Sequence, residues 1–180
     1  MKERISLYAR SLVDIKKRKG VLFSFLFLWA LDFFSKYLLF FHVSPWNLGE
    51  GSGQIVQGFM GIDLFLSFVF NKGCAFGLLA QFQPWLLVLR VGIVLWLFSL
   101  LFSKTTSSIS SYFYALILGG AIGNITDFFV YGHVIDFLHF RFLGHSFPVF
   151  NIADAAICIG VAGLIIQSFK ENQAKNRARK

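Results

Sequence analysis

A helix needs about 20 mainly apolar residues to cross the roughly 30 Å hydrocarbon layer of a bilayer. The chain holds four such stretches, at about 21–41, 84–102, 112–131 and 148–169. No water-soluble architecture accommodates four of them in 180 residues. Charge placement supports the same reading. Twelve of the 17 Lys and Arg fall in the first twenty and last eleven residues, and only five are spread between. A basic skin at the two ends of an apolar middle is a membrane signature, not a nucleic-acid one. Hydrophobic residues at 56% and charged residues at 14% exclude disorder and an ordinary soluble α/β or sandwich domain. Cys74 and Cys158 are too few for a disulfide framework or a zinc site, and Cys158 reads as a small buried hydrophobe.

The expected organisation is a basic cytoplasmic segment over 1–20, a four-helix membrane domain over 21–169 and a basic cytoplasmic tail over 170–180. Lys and Arg gather on the two tails, with Lys104 in the 103–111 loop, whereas the 42–83 and 132–147 connections carry only Lys72 and Arg141. Positive charge collects inside, so both termini and the 103–111 loop are expected inside, and the other two connections outside. The first stretch has a core too long for a cleaved leader and contains Asp32 and Lys36, so it reads as a retained anchor. Two outer segments read as extended: 63–70, followed by the turn signal Asn71-Lys72-Gly73, and 133–142, with Val134, Asp136, Leu138, Phe140 and Phe142 alternating.

The informative residues are those that lipid should reject. An Asp at a helix centre costs about 2.5–3.5 kcal/mol on insertion scales, so it is kept where it pairs, lines a wet cavity or does chemistry. Three stretches carry polar pairs at helical spacing: Asp32 with Lys36, Asn124 with Asp127, and Asn151 with Asp154. On the expected topology all lie toward the outer side, with Asp154 six residues past Pro148 and so about 9 Å down. Asp136 belongs to the same layer. Small residues (Gly119, Gly120, Ala121 and Gly123 in the third stretch, Ala153, Ala155 and Ala156 in the fourth) let these helices approach closely. Asp127, Asp136 and Asp154 are therefore expected near one another.

Two carboxyls sharing a site do not both ionise cheaply, so one keeps a proton while the other stays charged, a state suited to activating water. Each residue also has a plainer reading. Asp32 with Lys36 is most simply an intrahelical ion pair, Asp127 a helix-end residue bonding backbone groups, and Asp63 an exposed outer residue. His42, His133, His139 and His145 lack metal-ligand spacing, so no metal or cofactor is expected. A transporter using Asp127 and Asp154 is the alternative from another class, and it expects charge spread through the membrane depth. A non-enzymatic protein that keeps the pocket but not the chemistry is a third.

Four blocks resemble the lipoprotein signal peptidase (signal peptidase II) family. They are Leu31-Asp32-Phe33-Phe34-Ser35-Lys36, then Asn71-Lys72-Gly73-Cys74-Ala75-Phe76-Gly77, then 119–127 running on to 132–137, and Phe147-Pro148-Val149-Phe150-Asn151-Ile152-Ala153-Asp154. The resemblance implies an aspartic endopeptidase of the bacterial inner membrane. Its substrates are prolipoproteins, cut before a diacylglyceryl-modified cysteine. The implied fold is an α-helical integral membrane protein with four transmembrane helices and a small extracytoplasmic β-cradle, corresponding to strands within 42–83. By matching position the catalytic pair is Asp136 and Asp154. Asp32, Lys36, Asn71, Gly77, Asn124, Asp127, Asn151 and Ala153 match positions that shape the site or contact substrate. Membrane lipids are the other expected partners, and the chain is expected to act as a monomer. It departs from the family at Phe128, where Arg is usual, and at Cys74, where Ala is common.

Overall fold

The computed structural model describes residues 2–42, 53–72, 80–101 and 107–178. Gly77, Cys74 and the rest of 73–79, the 43–52 part of the long connection, and Lys104 within 102–106 lie outside the described residues. The elements run α1 (Lys2–His42), β1 (Gly53–Phe59), β2 (Ile62–Asn71), a 3-10 turn at Ala80–Phe82, α2 (Gln83–Leu101), α3 (Ser108–Tyr131), β3 (Val134–Phe142), β4 (His145–Ser146) and α4 (Ile152–Ala178).

Four helical segments are long and apolar enough to cross a membrane: Lys19–Phe41, Gln83–Leu101, Ser108–Tyr131 and Ile152–Ala178. α1 continues back through the basic segment expected at 1–20, which contains no proline to stop it. α4 likewise runs past residue 169 into the basic tail. The bundle is organised on α3, which packs against α1, α2 and α4. Its buried residues are mostly small: Ser111, Ala115, Gly119, Gly120 and Gly123. α2 buries only Leu86 and Leu97 and presents Trp85, Val88, Leu89, Leu95 and Trp96 outward, as a lipid-facing helix does. Cys158, expected to be buried, is exposed on α4.

Two of the glycines explain how close the helices come. A Cβ on Gly120 would run into the carbonyl oxygen of Ala153. One on Gly123 would lie 2.6 Å from Asp32 Oδ2. At these points α3 meets α4 and α1 with no room for a methyl group.

The sheet caps the end of the bundle where α1 and α3 finish and α2 and α4 begin. Its order is β1-β2-β3-β4, all antiparallel. Both connections build it: β1 and β2 come from 42–83, while β3 and β4 come from 132–147, where the resemblance implied strands in the first connection only. The alternation read in 134–142 is a strand, and its first four residues are buried on both faces because it lies against the helix ends. Gly132, at φ 76°, ends α3 in a left-handed cap and turns the chain directly into β3. Asp63 ties the sheet together, accepting from Gly58 N at 2.7 Å and Arg141 Nε at 3.0 Å. Those donors hold its carboxyl below the usual range.

One helix boundary differs in a way that matters. The fourth span was expected to begin at 148, but α4 starts at Ile152. Phe150 is held in extended form by Leu138, whose amide donates to its carbonyl at 2.7 Å and whose carbonyl accepts from its amide at 3.0 Å. Asn151 then caps the helix, with its Oδ1 accepting from Asp154 N at 2.8 Å. Asp154 therefore stands in the first turn of α4, not two turns down a span.

Candidate active site

One polar network occupies the sheet end of the bundle, and the first helix supplies its anchor. Lys36 Nζ lies 2.6 Å from Asp32 Oδ2, 2.7 Å from Asp127 Oδ2 and 3.1 Å from Asn124 Oδ1. Three partners match the three N–H donors of an ammonium group. Lys36, Asp32 and Asp127 are fully buried. The expected intrahelical pair is thus half of a bridge, because Lys36 also joins α1 to α3. Trp29 Nε1 donates to Thr126 Oγ1 at 3.2 Å and fastens the same two helices.

The two flanking carboxylates set the next elements in place. Asp32 Oδ1 accepts from Ala153 N at 2.9 Å, satisfying one of the orphan amides that open α4. Asp127 Oδ2 accepts from Ile135 N at 3.2 Å, fixing the residue next to Asp136. The helix-end reading of Asp127 is therefore right in kind, and the bond runs into β3.

Asn124 and Asn151 connect this frame to Asp136 and Asp154. Asn124 Nδ2 donates to Asp154 Oδ1 at 2.8 Å. Asn151 Nδ2 donates to Asp136 Oδ1 at 2.7 Å and also faces Asn124 Oδ1 and Ile135 O, both at 3.2 Å. Asn71, at the end of β2, donates to the other oxygen of Asp136 at 2.9 Å. Asn151 thus binds the side chain of Asp136 and the backbone of Asp154 at once. Nine of the ten site residues read from the sequence converge here: Asp32, Lys36, Asn71, Asn124, Asp127, Asp136, Asn151, Ala153 and Asp154. The tenth, Gly77, lies outside the described residues. Ile135, whose amide and carbonyl both bond within the network, was not singled out. Its apolar side chain gives no signal of a backbone role.

The network is acidic. Four Asp surround one Lys, and burial holds the Asp136 carboxyl up at about 7, with the Asp154 charge adding to the effect. Asp154 is only half-buried and stands in the first turn of α4. Asp32, Lys36, Asp127 and Asp136 are all the fully or nearly buried charged groups among the described residues. They collect at one end of the bundle, contrary to the spread along the membrane depth that a conduction path requires. His139 stands apart on the sheet between Ser67 and Ser146. Among the described residues no three His, Cys, Asp or Glu side chains form a metal-ligating group.

The closeness of α3 to α1 gives a direct expectation. Gly123→Ala forces a methyl group onto Asp32 Oδ2 and should cost about 1–3 kcal/mol of stability. Thermal unfolding in detergent should show a lower midpoint for Gly123→Ala and no change for Gly92→Ala, where nothing stands within 4 Å. Equal midpoints would mean that the contact is not tight.

Comparisons with known proteins agree with this arrangement. The sequence profile of the family described as signal peptidase (SPase) II matches residues 24–170. A protein of Nostoc punctiforme named lipoprotein signal peptidase is 48% identical over 120 residues, covering 66% of this chain and 74% of its own length. One of the same name from Dichelobacter nodosus is 41% identical over 142 residues, covering 75% and 84%. A bacterial membrane enzyme solved in meso at 2.3 Å superposes with a TM-score of 0.75 at 26% identity, over 87% of this chain and 92% of that one. A second, solved at 1.9 Å, gives a TM-score of 0.70 at 27% identity, over 84% and 94%. With the profile reaching into all four membrane helices and covering every described residue of the polar network, the chain belongs to the signal peptidase II family of membrane peptidases.

Proposed function

We propose that Asp136 and Asp154 form an aspartic dyad that cleaves lipidated prolipoproteins. The family removes signal peptides from prolipoproteins, and this chain is one of its peptidases. The finer reading is that the scissile bond lies before a diacylglyceryl-modified cysteine and that water is the nucleophile. One observation carries it: Asn151 and Asn124, bonded to each other, hold two acidic side chains from different elements, Asp136 deeply buried and Asp154 partly open, whose charges influence each other.

The division of labour follows from their surroundings. Asp136 keeps the shared proton and donates it toward the scissile carbonyl oxygen. Ionised Asp154 takes a proton from water as the water oxygen bonds to the carbonyl carbon. The tetrahedral adduct collapses when the C–N bond breaks and the cysteine nitrogen receives a proton from the dyad. The products are a signal peptide ending in a carboxylic acid and a lipoprotein with a free amine. No covalent intermediate or metal is required. Asp32, Lys36, Asn71, Asn124, Asp127, Asn151 and Ala153 hold the pair in position.

In the membrane, we place both basic ends of the chain in the cytoplasm, in accord with their positive charge, and the sheet on the outer face of the bacterial inner membrane. The dyad then lies near the outer leaflet, where the acyl chains of a substrate stay in lipid while water reaches Asp154. One chain supplies every residue in this scheme, consistent with a monomer.

The reading is tested by incubating purified protein with a diacylglyceryl-modified prolipoprotein peptide and with the same peptide unmodified. Cleavage of the lipidated form alone is expected, and equal cleavage of both would remove the lipid from the specificity. The pH dependence has a definite sign. A carboxyl raised to about 7 keeps its proton below that pH and loses it above. kcat/KM should therefore fall about tenfold per unit on the alkaline side of pH 7. A profile flat to pH 9 would contradict the protonated role of Asp136.

A further inference from the structure

The sheet has two hairpin turns, Met60-Gly61 between β1 and β2 and Leu143-Gly144 between β3 and β4, and they lie side by side. Ile62 pairs with Phe142, and Leu143 N donates to Gly61 O at 2.8 Å, so the turns form one joint tip. That tip presents apolar side chains. Met60 is 84% exposed, Leu143 82% and Phe59 66%. Met60 and Leu143 also hold left-handed φ angles of 52° and 47°, which bulky side chains rarely adopt. Glycine fills the other left-handed positions beside them, at Gly58, Gly61 and Gly144. Turning the chain requires neither a methionine nor a leucine there, and water penalises both side chains. Backbone strain of this kind clusters where a chain binds something.

The route of β3 says what lies beside the tip. Ile135 N bonds β3 to α3, and Leu138 then pairs with Phe150, two residues before α4 begins. Five more residues lead to Leu143, about 16 Å further at about 3.3 Å per residue. Phe150 packs on Phe147 with ring centroids 5.7 Å apart, and Phe147 on Phe142 at 6.4 Å. Apolar surface therefore runs from the start of α4 to the tip. Asp63 and Arg141 pair one residue behind it. Apolar groups ahead of a charged pair suit the boundary between acyl chains and headgroups. We infer that the joint tip is a membrane anchor: Phe59, Met60, Phe142 and Leu143 dip into the leaflet on the sheet side, beside α4, and hold the sheet against the bilayer. Phospholipid is the partner, and the anchor requires the membrane domain but not the peptidase chemistry.

The test uses full-length protein in phosphatidylethanolamine–phosphatidylglycerol vesicles, with Cys74→Ala and Cys158→Ala as background. Met60→Cys and Leu143→Cys each carry a nitroxide spin label, so the result does not hang on one variant. Leu95→Cys on the outward side of α2 and Gln173→Cys in the exposed basic tail serve as lipid and water references. Labels at 60 and 143 should collide several-fold more often with oxygen than with a water-soluble nickel chelate, at a depth of about 5–10 Å into the headgroup boundary. Nickel access equal to that at 173 would leave the tip in water and overturn the inference. Low collision with both reagents would mean that a protein surface or a second copy covers the tip, and would overturn it too. Asn tolerates the left-handed region, so Met60→Asn/Leu143→Asn keeps the turns while removing the apolar groups. A label at Phe59→Cys should then gain nickel access several-fold, and an unchanged value would contradict the anchor. None of these readouts requires cleavage, so failure of the peptidase reading would leave them unaltered.

Discussion

Asp154→Asn is expected to lower kcat/KM on a lipidated prolipoprotein peptide by at least about 10³-fold while substrate binding and the melting midpoint stay close to wild type. The amide has the size of the carboxylate, and its oxygen can keep the bond from Asn124 Nδ2. The charge that accepts the proton from water is gone. Asp136→Asn should lose as much activity, though it disturbs more. Both Asp136 oxygens accept from side-chain amides, those of Asn71 and Asn151, so an amide at 136 sets its NH2 against one of those donors. Because the two residues act on one water, the double variant should be scarcely worse than either single one. A product of the two separate losses would mean that they work independently. Rates are read by chromatography of the released peptide, and binding by competition with uncleaved substrate.

The second large effect concerns Lys36. Removing its ammonium leaves Asp32 and Asp127 buried with no countercharge, facing each other across the α1–α3 contact. Breaking a buried pair from one side costs about 3–5 kcal/mol, more than the pair contributes, because the remaining charge has neither water nor partner. Lys36→Met should accordingly lower the thermal midpoint in detergent by several degrees and abolish activity. The hydrogen bonds that Asp32 and Asp127 accept from the amides of Ala153 and Ile135 orient the two elements that carry the proposed dyad. Adding Asp127→Asn to Lys36→Met removes one of the uncompensated charges and should recover part of the midpoint. A Lys36→Met midpoint equal to wild type would show the network to be dispensable for the fold.

Much of this was legible in the residues because lipid penalises polarity so heavily. Asp32, Lys36, Asn124, Asp127, Asn151 and Asp154 stand out in apolar stretches, and their shared depth pointed to one site. The strand at 134–142 was legible by its alternation, and the close helix packing by the glycines of α3. What failed to show were relations between distant segments. Nothing near Lys36 announces that it reaches Asp127 as well as Asp32, because that contact depends on how α1 and α3 lie together. The start of α4 was misplaced because Pro148 suits the opening of a helix and the apolar run continues through it. The backbone pairing of Phe150 with Leu138 holds residues 148–151 out of the helix, and Asn151 becomes a cap. The sheet was half-seen for a similar reason: β1 shows no clean alternation, and the two-residue β4 is too short to show any.

The central claim is that two carboxylates, held by the linked amides of Asn151 and Asn124, cut one bond in a lipidated peptide. Its most direct measurement is a mass spectrum of a diacylglyceryl-modified prolipoprotein peptide after incubation with wild-type protein and, alongside, with the Asp136→Asn/Asp154→Asn double variant. The account predicts scission before the modified cysteine by the wild type, with the substrate mass alone in the variant sample. Product formed by the variant at the wild-type rate, or scission by the wild type at another bond, would contradict it.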